Sequence, residues 1–226
     1  MKLDIGCGAR KRPGYYGIDR VAMPGVNWVG DLNDPLPFPD DSVDDIAVCR
    51  MLPYVDDLTA AFAELYRIGR HGTVLTLLCP YAHHFRHGSN PYLKHRFDER
   101  TPRYLTPRFR QPEDGPLCPP IEPYGYVPPL PYDFRLLRME LFYDAAFSPP
   151  LYEPDELELL KELQANVVDE ILYRFVIVKG NMPDDEWRRL CRLELSEPHA
   201  VLQLRTERHE SAASASYAAE DPHMLL

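Results

Sequence analysis

Leu3-Asp4-Ile5-Gly6-Cys7-Gly8 sets two glycines directly after a short apolar run, and Asp19 ends the next run, Tyr15–Ile18. In nucleotide-binding α/β sheets the ligand sits beyond the carboxyl ends of the strands, where glycine lets backbone amides approach it closely. An acid at the end of the second strand can then accept hydrogen bonds from ribose hydroxyls. A pyrophosphate cradle is disfavoured, because G-x-G-x-x-G requires its third glycine where this chain has Lys11. The spacing favours a nucleoside ligand without that cradle.

A second concentration of reactive side chains lies in Ala82–Pro131. It holds His83, His84, His87 and His95, four of the eight histidines. It also holds Arg86, Lys94, Arg96, Arg100, Arg103, Arg108 and Arg110, against only Asp98 and Glu99 before Gln111. A basic stretch in an acidic chain predicts recognition of a carboxylate or phosphate, with Arg86, Arg96 and His87 as candidate contacts. Histidine is the natural general base near neutral pH. His84 and His83 directly follow a strand, which makes His84 the first candidate base and His83 the second. The spacing His83-His84-His87 has no supporting cysteine and no helical period, so no metal is expected. Tyr54 and Tyr81 are candidate walls for an aromatic or hydrophobic acceptor.

The elements that must position these groups follow from periodicity. Lys2–Ile5, Tyr15–Ile18, Val26–Val29, Val43–Cys49 and Thr73–Cys79 are predicted strands. Between the last two, Leu58, Ala61, Phe62, Leu65 and Ile68 repeat at a spacing of three and four, which gives a helix one buried face. Strands alternating with short connections imply a mainly parallel sheet covered on both faces. Phe134–Tyr143 and Glu170–Lys179 add two strands, with a helix over Pro154–Val168 between them and another over Pro183–Leu195. The domain spans 1–181 with the insertion at about 82–131. A C-terminal extension covers 182–210, and 211–226 is small, polar and expected to be disordered.

Composition sets the outer limits. The 226 residues suffice for one sizeable core. The five cysteines are odd in number and lack C-x-x-C spacing, so neither a disulfide framework nor a zinc site is expected. A net charge of −10 argues against tight nonspecific nucleic-acid binding. No apolar run approaches a membrane span and no signal peptide is evident, which makes a cytoplasmic location the expectation. The 24 prolines cluster between Pro102 and Pro154 and restrain a loop-rich region.

The order of the first eighty residues resembles the class I S-adenosylmethionine-dependent methyltransferases. The likeness begins at Leu3-Asp4-Ile5-Gly6-Cys7-Gly8 and runs through Gly17-Ile18-Asp19, Gly30-Asp31-Leu32-Asn33 and Phe38-Pro39-Asp40-Asp41-Ser42-Val43-Asp44. It continues across Ala60–Ile68 into Gly72-Thr73-Val74-Leu75-Thr76, and is weaker over 91–109 and Glu170–Lys179. The resemblance implies a Rossmann-like α/β fold with a mainly parallel seven-stranded sheet, helices on both faces, and S-adenosyl-L-methionine as cofactor. It places Asp4, Gly6, Cys7 and Gly8 in the cofactor motif, the last three facing the methionine part. Asp19 would take the ribose and Asp31 the adenine amino group, with an amide from Leu32, while Arg50 and Met51 would close over the cofactor.

The chain departs from the pattern at Gly8-Ala9-Arg10-Lys11-Arg12-Pro13-Gly14, where the third glycine is replaced and the first helix is nearly absent. A subset of the family shares such a K-R-P-G turn, whose cations either pair with the cofactor carboxylate or face solvent. The sequence begins at its first strand, so shielding of the methyl group is expected from the Ala82–Pro131 insertion or from a second copy in a homodimer. Cys49-Arg50-Met51-Leu52-Pro53-Tyr54 is not the D/N-P-P-Y pattern of base-amino methylation, and Cys79-Pro80 reverses a Pro-Cys nucleophile. The leading expectation is methyl transfer to oxygen or nitrogen of a small, anionic molecule. The alternatives are a protein or RNA methyltransferase using the basic insertion, and a non-catalytic cofactor-binding module.

Overall fold

The structure is a computed structural model that describes residues 1–123, 125, 128–147 and 152–207. Its seven strands are β1 (Lys2–Ile5), β2 (Tyr16–Asp19), β3 (Trp28–Val29), β4 (Val43–Cys49), β5 (Gly69–Pro80), β6 (Phe134–Tyr143) and β7 (Val168–Ile177). They form one sheet in the order β3-β2-β1-β4-β5-β7-β6. The first five are parallel, whereas β7 runs antiparallel to both β5 and β6. This is the Rossmann-like class I methyltransferase arrangement that the sequence leads one to expect. The carboxyl ends of β1, β2, β4 and β5 therefore share one edge with the start of β7 and the end of β6.

Helix α1 (Leu58–Ile68) begins where the Asp57 side chain accepts from the Ala60 N–H. It buries Ala61, Phe62, Leu65 and Ile68, the face that the spacing predicts. The Phe62 ring meets Phe134 of β6 at 5.4 Å, so the helix between β4 and β5 also packs on the edge strand β6.

Four elements differ from expectation in extent. Strand β3 keeps only Trp28–Val29, and β7 runs over Val168–Ile177 rather than Glu170–Lys179. Helix α3 (Pro154–Leu163) stops five residues early, because Asn166 takes a left-handed φ of 67° and Val168 already pairs with Tyr143. Helix α4 (Asp184–Cys191) is shorter than 183–195. The insertion contains helix α2 (Phe85–Gly88) and a 3-10 turn over Thr101–Tyr104. The expected disorder of 211–226 lies outside the described residues.

The C-terminal extension packs against the domain. Trp187 of α4 is buried with Leu137, Val176 and Val178, and its indole N–H donates to the Leu136 carbonyl. A further helix, α5 (199–207), seats Val201 on Cys49, Leu78, Phe142 and Leu172. Among the described residues no helix is long and apolar enough to cross a membrane.

Candidate functional site

The glycine loop after β1 requires its glycines. Gly6 has a φ of 75° and Gly8 one of 53°, a region that side chains disfavour. A Cβ on Gly6 would stand 2.2 Å from Met51 Cγ and 3.0 Å from the Cys49 carbonyl, whereas one on Gly8 would meet nothing within 4 Å. The Gly8 N–H donates to Asp19 Oδ2 at 2.9 Å, and the Val21 N–H donates to Asp19 Oδ1 at 3.0 Å. Each carboxylate oxygen of Asp19 thus keeps acceptor capacity for a hydroxyl donor.

The remaining cofactor candidates divide by position. Asp31 sits at the β3 end, half-buried, with the Asn33 N–H on Oδ1 and Arg20 at 3.6 Å from Oδ2. Leu32 is buried in the core. Asp4 is buried and receives the Arg12 N–H at 2.8 Å, so its carboxylate holds the loop. Cys7 is buried, and burial pushes its thiol up to about 11. Arg50 turns toward β7 and grips Glu170 with Nε–Oε1 at 2.5 Å and NH2–Oε2 at 2.7 Å. No helix follows the loop, among the described residues: Arg12 lies over the Tyr15 ring at 4.1 Å and Tyr15 donates to Asp45. Lys11 donates to Asn27. Neither Lys11 nor Arg12 therefore faces the cofactor edge freely.

These residues fit an adenosyl ligand. Open space lies over Gly8, two acids at the ends of β2 and β3 have unused lone pairs, and the side chain over Gly6 is methionine. Met51 is unbranched and rotates aside at low cost.

The insertion meets the same edge. Tyr81 follows β5, and its isolated bridge to Phe97 draws the later part of the segment back. The Tyr81 hydroxyl donates to Glu99, which also pairs with Lys161 at 2.9 Å; the residue is buried, and it lines an open depression together with His83 and Glu99. The Tyr54 hydroxyl accepts from Asn90. Phe85 N–H donates to Asn166 Oδ1, and the Asn166 N–H donates to the His83 carbonyl, which ties α2 to the turn before β7.

Asp169 and Asp144 organise three of the candidate residues. Arg86 and His87 both bind Asp169 Oδ1, His87 through Nε2 at 2.9 Å. His84 is buried, its Nδ1 accepting from the Arg86 N–H and its Nε2 lying 3.3 Å from Asp144 Oδ2. Both nitrogens of the first candidate base are thereby engaged. Ligand atoms of His84, His87 and Asp169 lie within 4.8 Å of one another, a closeness their sequence positions do not announce. An acceptor Nδ1 leaves the proton on Nε2, so His84 offers a cation no lone pair there. The Arg86 guanidinium also occupies the shared oxygen. In this arrangement the three groups anchor α2 to the start of β7.

Burial alone would raise the Asp169 pKa, but hydrogen bonds from His87 and Arg86 outweigh it and hold it at about 2. Its unfolded value is about 3.9. The folded carboxylate therefore contributes its full stability above about pH 4 and loses it as pH falls through about 2. Asp169→Asn is expected to lower stability at pH 7 by roughly 2.5 kcal/mol and to flatten the acid limb. Urea midpoints at pH 7 and at low pH check this; identical acid limbs in both proteins would refute it.

Of the seven cations in 82–110, five are engaged: Arg86, Lys94 with Asp56, Arg100 with Asp98, Arg103 with the Cys118 carbonyl, and Arg110 with Asp184. Among the described residues Arg96 and Arg108 have no side-chain partner. Arg96 lines an open depression of about 460 Å³ with His83, His84, Phe85, Ser89 and Ala165. His83 is exposed there, its ring edge-on to Tyr81 at 5.5 Å, with no hydrogen bond to its ring nitrogens. Asp144 and Asp169 went unnoticed in the sequence. Their one signal is position, immediately after β6 and at the start of β7.

Residues 17–77 match the sequence model of the family described as a methyltransferase domain. Over this stretch the chain is similar to that family. S-adenosylmethionine is the cofactor of such domains. A SAM-dependent methyltransferase from Archaeoglobus fulgidus is similar in structure, with 12% identity over 77% of this chain and 85% of that one, at a TM-score of 0.48. A methyltransferase from Methanosarcina mazei gives 14% identity over 79% and 92%, at 0.45. A Haloferax volcanii complex between the Trm112 activator and a methyltransferase gives 16% over 80% and 83%, at 0.46. No curated protein matches the chain.

Proposed function

We propose that the protein transfers a methyl group from S-adenosylmethionine to oxygen or nitrogen of a small anionic molecule held in the depression beside α2. The observation that carries this is Arg96, an arginine without a partner lining an open cavity at the ligand edge of the sheet. Guanidinium matches a carboxylate or phosphate in geometry and charge. When bound, the cofactor supplies an electrophilic methyl group on a cationic sulfur. Gly6, Gly8 and Asp19 hold it, and Asp31 meets its adenine end. Arg96 takes the acceptor's anionic group, Phe85 offers an apolar wall, and His83 accepts the proton of the attacking group. His84 and His87 position this wall through Asp144 and Asp169. Alignment is the main source of rate, worth on the order of 7–11 kcal/mol in good cases.

Two further readings are weaker. A protein or RNA acceptor would call for an extended cationic surface, and five of the seven insertion cations are spent on internal partners. A binding module without turnover would retain Asp19 and the glycine loop but need no acceptor cavity.

Release of S-adenosylhomocysteine with a panel of small carboxylates and phosphate monoesters bearing hydroxyl or amino groups tests the proposal. Arg96→Ala is expected to raise the acceptor KM roughly ten- to a hundredfold, with kcat and cofactor affinity little changed. Turnover with neutral acceptors only, or a KM indifferent to Arg96, would overturn it.

A further inference from the structure

All of the buried side-chain nitrogens and oxygens without a hydrogen-bond partner, among the described residues, belong to two arginines. They are NH1 of Arg12 and Nε and NH1 of Arg174. Arg12 comes from the loop after β1 and Arg174 from the middle of β7, and both are more than nine-tenths buried. The same stretch of the C-terminal extension covers them: Arg12 NH2 donates to the carbonyl and hydroxyl of Ser196, and Arg174 NH2 donates to Glu197. Adjacent residues thus hold the two guanidiniums within a side chain's reach of each other. Two more cations close the group, Arg205 on Glu197 and Glu140, and Arg138 on the Cys191 carbonyl.

Four arginines meet four acids here, Glu140, Glu197, Asp4 and Asp45, the last holding the hydroxyl of the Tyr15 ring on which Arg12 lies, yet three guanidinium nitrogens stay unpartnered. Burial pulls the Arg174 pKa below its ordinary value; Glu197 opposes this, while the neighbouring Arg138, Arg12 and Arg205 add to it. A buried donor left unsatisfied destabilises the fold, more so when it is charged. An anionic acceptor on these nitrogens answers that deficit.

We propose that Arg12 and Arg174 form a buried oxyanion site, sealed by Ser196–Glu197, for a phosphate-type or carboxylate group. It lies on the sheet face beneath the C-terminal extension, apart from the Arg96 depression, and does not depend on the acceptor reading. Binding there joins the extension to the glycine loop, because Arg12 also donates its N–H to Asp4 of β1.

Thermal unfolding of the full chain at fixed ionic strength tests this, with chloride replaced by low millimolar phosphate, sulfate or acetate. Phosphate and sulfate also stabilise proteins generally by exclusion from the surface, so the decisive comparison is with Arg174→Met, which removes both unpartnered Arg174 atoms. Wild type is expected to gain several degrees with the preferred oxyanion, and the variant to lose that gain. Arg12→Met serves as the second variant should Arg174→Met fail to fold. Hydrogen exchange over 192–207 is expected to slow with the anion in wild type alone. A response in acetate but not phosphate assigns a carboxylate ligand, and the reverse assigns a phosphate-type one. An equal response in wild type and variants, or none at all, overturns the site, as does a crystal structure grown in phosphate that shows only water on these nitrogens.

Discussion

Calorimetric titration of S-adenosylhomocysteine into Asp19→Ala is expected to return an affinity roughly ten- to a hundredfold below wild type. Two losses combine. The carboxylate currently accepts from the Gly8 and Val21 amides, which fixes the glycine loop against β2. On the proposed reading its remaining lone pairs accept from the ribose hydroxyls. Asp19→Asn is the second variant: its NH2 group must face one of the two amide donors, so it cannot restore both contacts. Both variants are expected to bind weakly while melting close to wild type, since Asp19 lies at the sheet edge. Wild-type affinity in the alanine variant would remove Asp19 from the cofactor site.

Local signals made this half of the site legible. Gly6, Gly8 and Asp19 fall within fourteen residues, and each answers a backbone or hydrogen-bond requirement that short sequence spacing reveals. Helix α1 was equally readable, because Ala61, Phe62, Leu65 and Ile68 repeat with the helical period and the sheet beneath them is apolar. The acceptor side was harder. Seven cations in 82–110 look alike in sequence, and only folding spends five of them on Asp56, Asp98, Asp169, Asp184 and a carbonyl. His84 is read as a base from its place after β5, and folding adds Asp144 and the Arg86 N–H as its partners. Arg12 looked like a solvent or cofactor contact. Its partner Ser196 lies 184 residues away, a separation that no periodicity bridges. The extension covers other parts of the sheet: α4 packs at the β6 and β7 end, and α5 over residues of β4, β5, β6 and β7.

Arg50 carries the largest expected effect on stability. It follows β4 with a left-handed φ of 60°, donates its N–H to the Leu78 carbonyl, and extends a bidentate guanidinium to Glu170. The Glu170 side chain is only 4% exposed, whereas that of Arg50 is 45% exposed. Removing one partner of such a pair strands a charge in the interior, at a typical cost of 3–5 kcal/mol. Water can enter where the exposed guanidinium was, so Arg50→Ala is expected near the lower end, about 3 kcal/mol by urea unfolding. Alanine meets the same left-handed backbone penalty as arginine, which leaves the change attributable to the lost guanidinium. Neutralising the stranded acid should recover much of the loss, so Arg50→Ala/Glu170→Gln is expected to be more stable than Arg50→Ala alone. The double-mutant cycle then gives a coupling well above 1 kcal/mol. A loss below about 1 kcal/mol, or strictly additive variants, would show that Glu170 finds other partners when Arg50 is gone. The pair crosses from β4 over β5 to β7, next to Asp169, which holds Arg86 and His87. Slackening it is expected to loosen the acceptor wall as well, raising the acceptor KM more than it weakens cofactor binding.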